Sequence, residues 1–74
     1  MRSLIRRRLT RERVLVTTFA DEAFEGVLLE ADRRHLVLAD ASQLTPDGER
    51  TRVDGKLWLP TENIAYLQHP GTGA

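Results

Sequence analysis

Apolar and β-branched residues occur along this chain in short runs, separated by polar residues, glycine and proline. Such runs are typical of β-strands, because β-branched and aromatic side chains pack well on a pleated surface. The residues between the runs are of the types that favour turns. The pattern predicts five strands, over about residues 13–19, 24–31, 35–41, 50–59 and 63–68.

Three features between and inside these runs indicate turns or bends. Residues 45–48 read Thr-Pro-Asp-Gly, which places proline early and glycine late, as a hairpin turn requires. Gly26 lies inside the second predicted strand, where glycine indicates a bend or a close approach of another backbone segment. Asp54 and Gly55 interrupt the fourth predicted strand. The sequence therefore predicts a mainly β fold, a small, strongly bent antiparallel barrel.

The N-terminal segment has a different pattern. Leu4, Ile5 and Leu9 fall at helical spacing on one side, while arginines fill the other side. With Ser3 as its N-cap, this pattern predicts a short α-helix over about residues 3–9. An isolated helix of this length is marginal in water, so we expect it to pack on the barrel.

The length of 74 residues allows one domain, predicted at residues 1–68, followed by a flexible polar tail at residues 69–74. A domain of this size buries only about 60% of the surface that its unfolded chain exposes, so its stability needs further support. The chain contains no cysteine, which excludes disulfides and leaves self-association as the expected support. No apolar run approaches the roughly 18 residues that span a bilayer. We therefore expect a soluble, cytoplasmic protein.

The formal net charge is zero, but the charges are unevenly distributed. The first thirteen residues carry six arginines against one glutamate, a net +5, and the rest of the chain carries five basic against ten acidic residues, a net −5. We call residues 1–13 the basic arm. Clustered arginine is the usual signature of binding to a phosphate backbone.

Two segments of the sequence carry a resemblance to a known family. Residues 24–28 read Phe-Glu-Gly-Val-Leu, Asp32 follows, and the next apolar strand contains Asp40; residues 63–67 read Asn-Ile-Ala-Tyr-Leu. In this order the two segments resemble the two motifs of the Sm and Sm-like proteins, the family of the bacterial RNA chaperone Hfq. The resemblance extends from about residue 4 to residue 67. It implies the Sm fold, a ring of five to seven identical subunits, and single-stranded RNA as a candidate partner.

The chain departs from the family pattern at the residues of the family's uridine pocket. In the family three residues separate the motif's aspartate from a base-binding asparagine, whereas here Arg33 and Arg34 alone separate Asp32 from His35. The Arg-Gly pair that precedes the last strand in the family is replaced by Pro60-Thr61. The glycine of the first turn is also absent, since residues 21–22 are Asp-Glu.

These considerations give eight candidate RNA-binding residues: Arg6, Arg7, Arg8, Arg33, Arg34, His35, Pro60 and Thr61. Arg34 and His35 are candidates for stacking on a base; the alternative is a turn arginine and a strand-edge histidine in solvent. Arg6, Arg7 and Arg8 of the arm are candidates for phosphate contacts, with a solvated helix face or pairing with a neighbouring acidic subunit as alternatives.

Four further residues receive structural interpretations. Trp58 and Tyr66 are predicted to lie in the core or at a subunit contact, in preference to stacking on a ligand. Asp32 and Asp40 flank the third predicted strand and are predicted to cap the amides of turns, in preference to binding a metal.

Catalytic chemistry has little basis in this sequence. The histidines are His35 and His69, and the serines Ser3 and Ser42 lack the glycines of a nucleophile elbow. We therefore expect no enzymatic activity, no cofactor and no metal site. The function predicted is a ring-forming Sm-like protein with single-stranded RNA as candidate ligand. The alternative is an oligomeric structural or interaction module with an Sm-like or SH3-like barrel, of phage origin, that binds no RNA.

Overall fold

A computed structural model of the chain describes residues 11–70. The helix predicted at residues 3–9 and the tail residues 71–74 lie outside this part. Every pair of neighbouring strands is antiparallel, which confirms the predicted mainly β fold for the described residues. The elements are β1 (Arg13–Thr18), β2 (Ala23–Ala31), β3 (His35–Leu44), β4 (Arg50–Arg52), β5 (Leu57–Pro60), a 3-10 turn (Thr61–Asn63) and β6 (Ile64–Gln68).

The strands form one sheet in the order β4-β3-β2-β1-β6, and β5 also pairs with β3. The two halves of β3 have different partners on the same side. His35 to Leu38 pair with β5, and Ser42 to Leu44 pair with β4. This arrangement is possible because β2 and β3 bend strongly in the middle.

The bend lies at Gly26 of β2, where the backbone of β3 comes close. The register between the two strands shifts between Glu25 and Val27, opposite a residue of β3, Asp40, whose φ is 51°. A Cβ atom at position 26 would lie 3.0 Å from the carbonyl oxygen of Ala39 and 3.1 Å from the Cα of Ala41. Glycine therefore permits the close backbone approach that the sequence predicted at this position.

Residues 50–59 were predicted to form a single strand, and this prediction is wrong. Residues 11–70 contain six strands instead of the five predicted. β4 and β5 are separated by residues 53–56, where Gly55 has a φ of 75°. The reason is the bend in β3: its two halves run in different directions, so a strand that follows one half cannot continue along the other. The bounds of β1, β2 and β6 differ from the predicted ones by one residue, and β3 continues to Leu44.

The short connections use the predicted turn chemistry. Between β3 and β4, the amide of Gly48 donates to the Thr45 carbonyl at 2.9 Å, and Gly48 has a φ of 91°. The Thr45 hydroxyl donates to the Asp47 carboxylate and thereby lowers the pKa of that group. Between β1 and β2, Asp21 takes the left-handed conformation with a φ of 69°. Aspartate tolerates this conformation, so the turn forms without the glycine that is usual in the family.

The core lies inside the curved sheet. Alternate residues of β1 and β2 point inward, and Val14, Val16 and Leu28 have no exposed surface. Thr18 is also buried, and its hydroxyl accepts a hydrogen bond from the Glu22 amide at 3.1 Å. Among residues 11–70, the buried members of the core cluster are Val14, Val16, Phe24, Leu28, Leu36, Leu38, Ala41 and Leu59.

Within residues 11–70 the Asp40 carboxylate caps no turn amide, so the prediction for this residue is wrong. Its carboxylate lies 3.1 Å from the Arg52 guanidinium and 3.6 Å from that of Arg13. It therefore links β1, β3 and β4 on the outside of the bend. All three side chains are about half exposed or more, and exposed ion pairs of this kind contribute less than about 1 kcal/mol each.

Candidate nucleic-acid interface

The turn between β2 and β3 is held by Asp32. One oxygen of its carboxylate accepts hydrogen bonds from the amides of Arg34 and His35, at 2.8 and 2.9 Å. The Asp32 amide donates to the His35 carbonyl at 3.0 Å. These bonds confirm the predicted capping role of Asp32. Because these hydrogen bonds fix the backbone of the turn, the side chains of Arg33 and Arg34 extend from a fixed backbone position.

A second segment packs against this turn. The Thr61 amide donates to the Arg34 carbonyl at 2.9 Å, and the Thr61 hydroxyl donates to the Asp32 carbonyl at 3.0 Å. Pro60 is the register partner of His35. Five of the predicted RNA-binding residues are thus brought together, and we call them the loop-corner surface: Arg33, Arg34, His35, Pro60 and Thr61. Arg6, Arg7 and Arg8 lie outside the described residues.

The charges of the loop-corner surface are available to a ligand. Arg50 pairs with Glu25, and Arg13 and Arg52 pair with an aspartate. In contrast, no ion pair within residues 11–70 involves Arg33 or Arg34, and both residues are exposed. Two guanidinium groups on one short turn can bind phosphate or stack on a base.

An aromatic pair adjoins this surface. The rings of His35 and Trp58 have centroids 4.7 Å apart and are tilted by 49°. Trp58 lies opposite Val37 in the β3-β5 register, two residue pairs away from the pairing of His35 with Pro60 and therefore on the same face of the sheet. The imidazole also lies near Asp32, with 3.9 Å between His35 Nε2 and the carboxylate.

Trp58 was not among the residues predicted to bind RNA, although it contacts His35 of this surface. Trp58 is 57% exposed and Tyr66 is 55% exposed, so neither belongs to the core of this chain. The prediction of a core role is therefore wrong for both residues, whereas a subunit contact stays a prediction. A signal was present for Trp58: Leu57 and Leu59 flank it in a strand, and alternation places it on the face opposite the two leucines.

Neither a metal cluster nor a membrane-spanning helix is found in the described part of the chain. Among residues 11–70, no cluster of three or more histidine, aspartate or glutamate side chains has an arrangement that could hold a metal ion. In the same part of the chain, no helix has the length and apolar character needed to cross a bilayer.

Sequence comparisons and structure comparisons give different results for this chain. No protein-family model matches the sequence, and no curated protein matches it significantly. Among solved structures, a heptameric archaeal Sm protein superposes with a TM-score of 0.80 at 21% identity, over 93% of this chain and 98% of that chain. The chain has the Sm fold.

Two further structures with the Sm fold are similar to the chain over most of their length. The SmAP1 heptamer of Pyrobaculum aerophilum superposes with a TM-score of 0.80 at 24% identity, over 93% of this chain and 92% of that chain. The Sm protein of Pyrococcus abyssii, solved in complex with a uridine heptamer, superposes with a TM-score of 0.79 at 26% identity. That match covers 92% of this chain and 94% of the Pyrococcus chain.

Proposed function

We propose that this chain is a ring-forming Sm-like protein that binds single-stranded RNA at the loop-corner surface. The observation that carries the proposal is the open sheet. Within residues 11–70, β4 and β5 pair only with the same side of β3, and β6 pairs only with β1. Each of these strands therefore has one edge whose backbone groups are free to pair with another chain.

Two different free edges on one small domain favour a particular type of assembly. Unpaired strand edges are templates for pairing, and pairing of β5 with β6 of the next copy is head-to-tail. A head-to-tail contact closes into a ring when its rotation divides a full turn. Two of the structures similar to this chain are heptamers. We propose a cyclic homo-oligomer of five to seven subunits.

The case for RNA rests on the loop-corner surface. Repetition of this surface around a ring would place Arg33, Arg34 and His35 at equivalent positions in every subunit. The guanidinium groups provide positive charge, and the guanidinium and imidazole groups provide flat surfaces for stacking; single-stranded RNA requires both. The complex of the Pyrococcus Sm protein with a uridine heptamer supports uridine-rich RNA as the first ligand to test.

The assembly prediction is tested by native mass spectrometry or sedimentation at micromolar concentration. We expect one closed species of five to seven subunits, because both free edges are satisfied only when the ring closes. A protein that remains monomeric at these concentrations would contradict the proposal.

The RNA prediction concerns Arg34, whose amide and carbonyl are held in the turn while its side chain is exposed. Arg34→Ala is expected to weaken binding of a fluorescent oligouridine by about tenfold, the size of one charge-assisted or stacking contact. Fluorescence anisotropy gives the dissociation constant. Arg52→Ala on β4 is the control, since it removes the same charge from an arginine that pairs with Asp40. Equal effects of the two substitutions would show that binding depends on net charge rather than on this surface.

A second candidate is a structural or interaction module that assembles in the same way and binds no RNA. It is favoured by Pro60 and Thr61, which stand in place of the Arg-Gly of the family and whose backbone and hydroxyl are used to hold the turn. Absence of oligouridine binding by an intact oligomer would favour this candidate. The structures compared above are archaeal proteins and give no support to a phage origin.

A further inference from the structure

Trp58 has the largest apolar side chain of the protein and is nevertheless exposed. It projects from the outer face of β5, on the side opposite the buried Leu59, and more than half of its surface is exposed. The contact with the His35 ring restricts its position. A rigid, half-exposed indole has a flat surface available for another ring.

We propose that Trp58 is a second base-stacking residue, which binds the nucleotide next to the one held at the loop-corner surface. The proposal rests on the RNA binding proposed above and extends it. His35 connects the two positions, because it belongs to the loop-corner surface and also contacts the indole. Adjacent bases of one strand would then lie on Arg34 or His35 and on Trp58.

Single-stranded RNA fits this position for two reasons. First, stacking on an aromatic side chain suits every base, since each base has a flat π-face. Second, Arg33 and Arg34 lie on the turn that leads into His35, so positive charge for the backbone and an aromatic platform for the base occur together. Stacking on Trp58, outside the loop-corner surface, would add affinity for RNA with little preference for the identity of the base.

Ring assembly through the free edge of β5 leaves this position accessible. Strand pairing uses backbone groups in the plane of the sheet, whereas side chains stand roughly perpendicular to that plane. Trp58 lies on a face of β5, so pairing of the strand with a second copy does not by itself cover the indole. The alternative occupant of this face is a side chain of the neighbouring subunit.

Intrinsic fluorescence provides a direct test, because Trp58 is the one tryptophan of the whole chain. Titration of the assembled protein with oligouridine is expected to quench the emission, with a midpoint equal to the dissociation constant from anisotropy of labelled RNA. The emission is expected to stay constant when the protein alone is diluted from the oligomer to lower concentrations.

Two substitutions separate stacking from folding. Trp58→Ala is expected to weaken RNA binding by about tenfold, whereas Trp58→Phe, which retains an aromatic ring, is expected to lose at most about threefold. Phe19→Ala is the matched control, since Phe19 is an aromatic residue with 75% of its surface exposed on the β1-β2 turn. We expect the affinity of this control to equal that of the unchanged protein.

The outcomes distinguish this inference from the function on which it rests. RNA binding without quenching, or with equal affinity for the alanine variant, would overturn the role of Trp58 and leave the proposed function intact. Emission that changes with protein concentration and not with RNA would assign Trp58 to a subunit contact instead. No binding of RNA by the assembled protein would overturn both.

Discussion

Replacement of Arg6, Arg7 and Arg8 together by glutamine is expected to weaken RNA binding about a hundredfold at 50 mM salt. Each phosphate neutralised on a single strand contributes about 0.7 to the slope of log affinity against log salt, so three lost contacts reduce the slope by about two. The loss should be similar for all sequences, because phosphate contacts carry no base information. Anisotropy titrations between about 50 and 200 mM salt measure both quantities.

The control for this experiment replaces three arginines that lie outside residues 6–8 and within the strands β1 and β4. Arg13, Arg50 and Arg52 all pair with acidic side chains of the barrel, so their replacement by glutamine should leave the salt slope nearly unchanged. Native mass spectrometry of both variants should show the same oligomer. An unchanged salt slope in the arm variant, together with a smaller oligomer, would assign the arm to assembly and not to RNA.

Leu38→Ala is expected to destabilise the protein by about 3 kcal/mol, because a fully buried leucine is replaced in a core that cannot collapse completely. For a domain of this size such a change lowers the melting temperature by roughly 12 to 24 °C. Circular dichroism during thermal unfolding measures the effect. The core of a domain of this length rarely contributes more than about 3 to 5 kcal/mol to the free energy of unfolding. We therefore expect the variant to be folded mainly as an oligomer.

This prediction has its own control and concentration test. Phe19→Ala removes a larger side chain that is 75% exposed, and it should change stability by less than about 0.5 kcal/mol. Ring formation stabilises the folded chain by mass action, so the melting temperature of both variants should rise with protein concentration. Equal destabilisation by the two substitutions would contradict the assignment of Leu38 to the core.

Much of the fold was predictable because it depends on local patterns. Alternating apolar residues indicate strands wherever one face is buried, and β1, β2 and β6 differ from their predicted bounds by one residue. The Thr-Pro-Asp-Gly turn and Gly26 were recognisable because proline fixes the backbone φ angle, whereas glycine permits left-handed conformations and close backbone approach. The division between β4 and β5 was not predictable in this way, since it results from the bend of β3 and not from residues 50–59 alone.

The candidate site was predictable only in part. A resemblance to known motifs selected Arg34, His35 and Thr61, which the structure brings together through hydrogen bonds of the turn and the corner. Trp58 was missed because its partner, His35, lies on a different strand. Asp40 was assigned to a turn because of its position after an apolar run, but its partners Arg13 and Arg52 come from β1 and β4.

The sequence by itself determined which segments become strands, where the backbone turns and how charge is divided between arm and barrel, since these properties depend on residues close together in the chain. The tertiary structure alone decided which segments meet. The Thr61 hydroxyl donates to the carbonyl of Asp32, which lies 29 positions earlier in the sequence. His35 on β3 contacts Trp58 on the neighbouring strand β5. Both contacts depend on the register of β3 with β5. That register follows from the bend at Gly26 and from the packing of the core. Core packing depends on contacts between segments distant in the sequence, so no local pattern encodes the register.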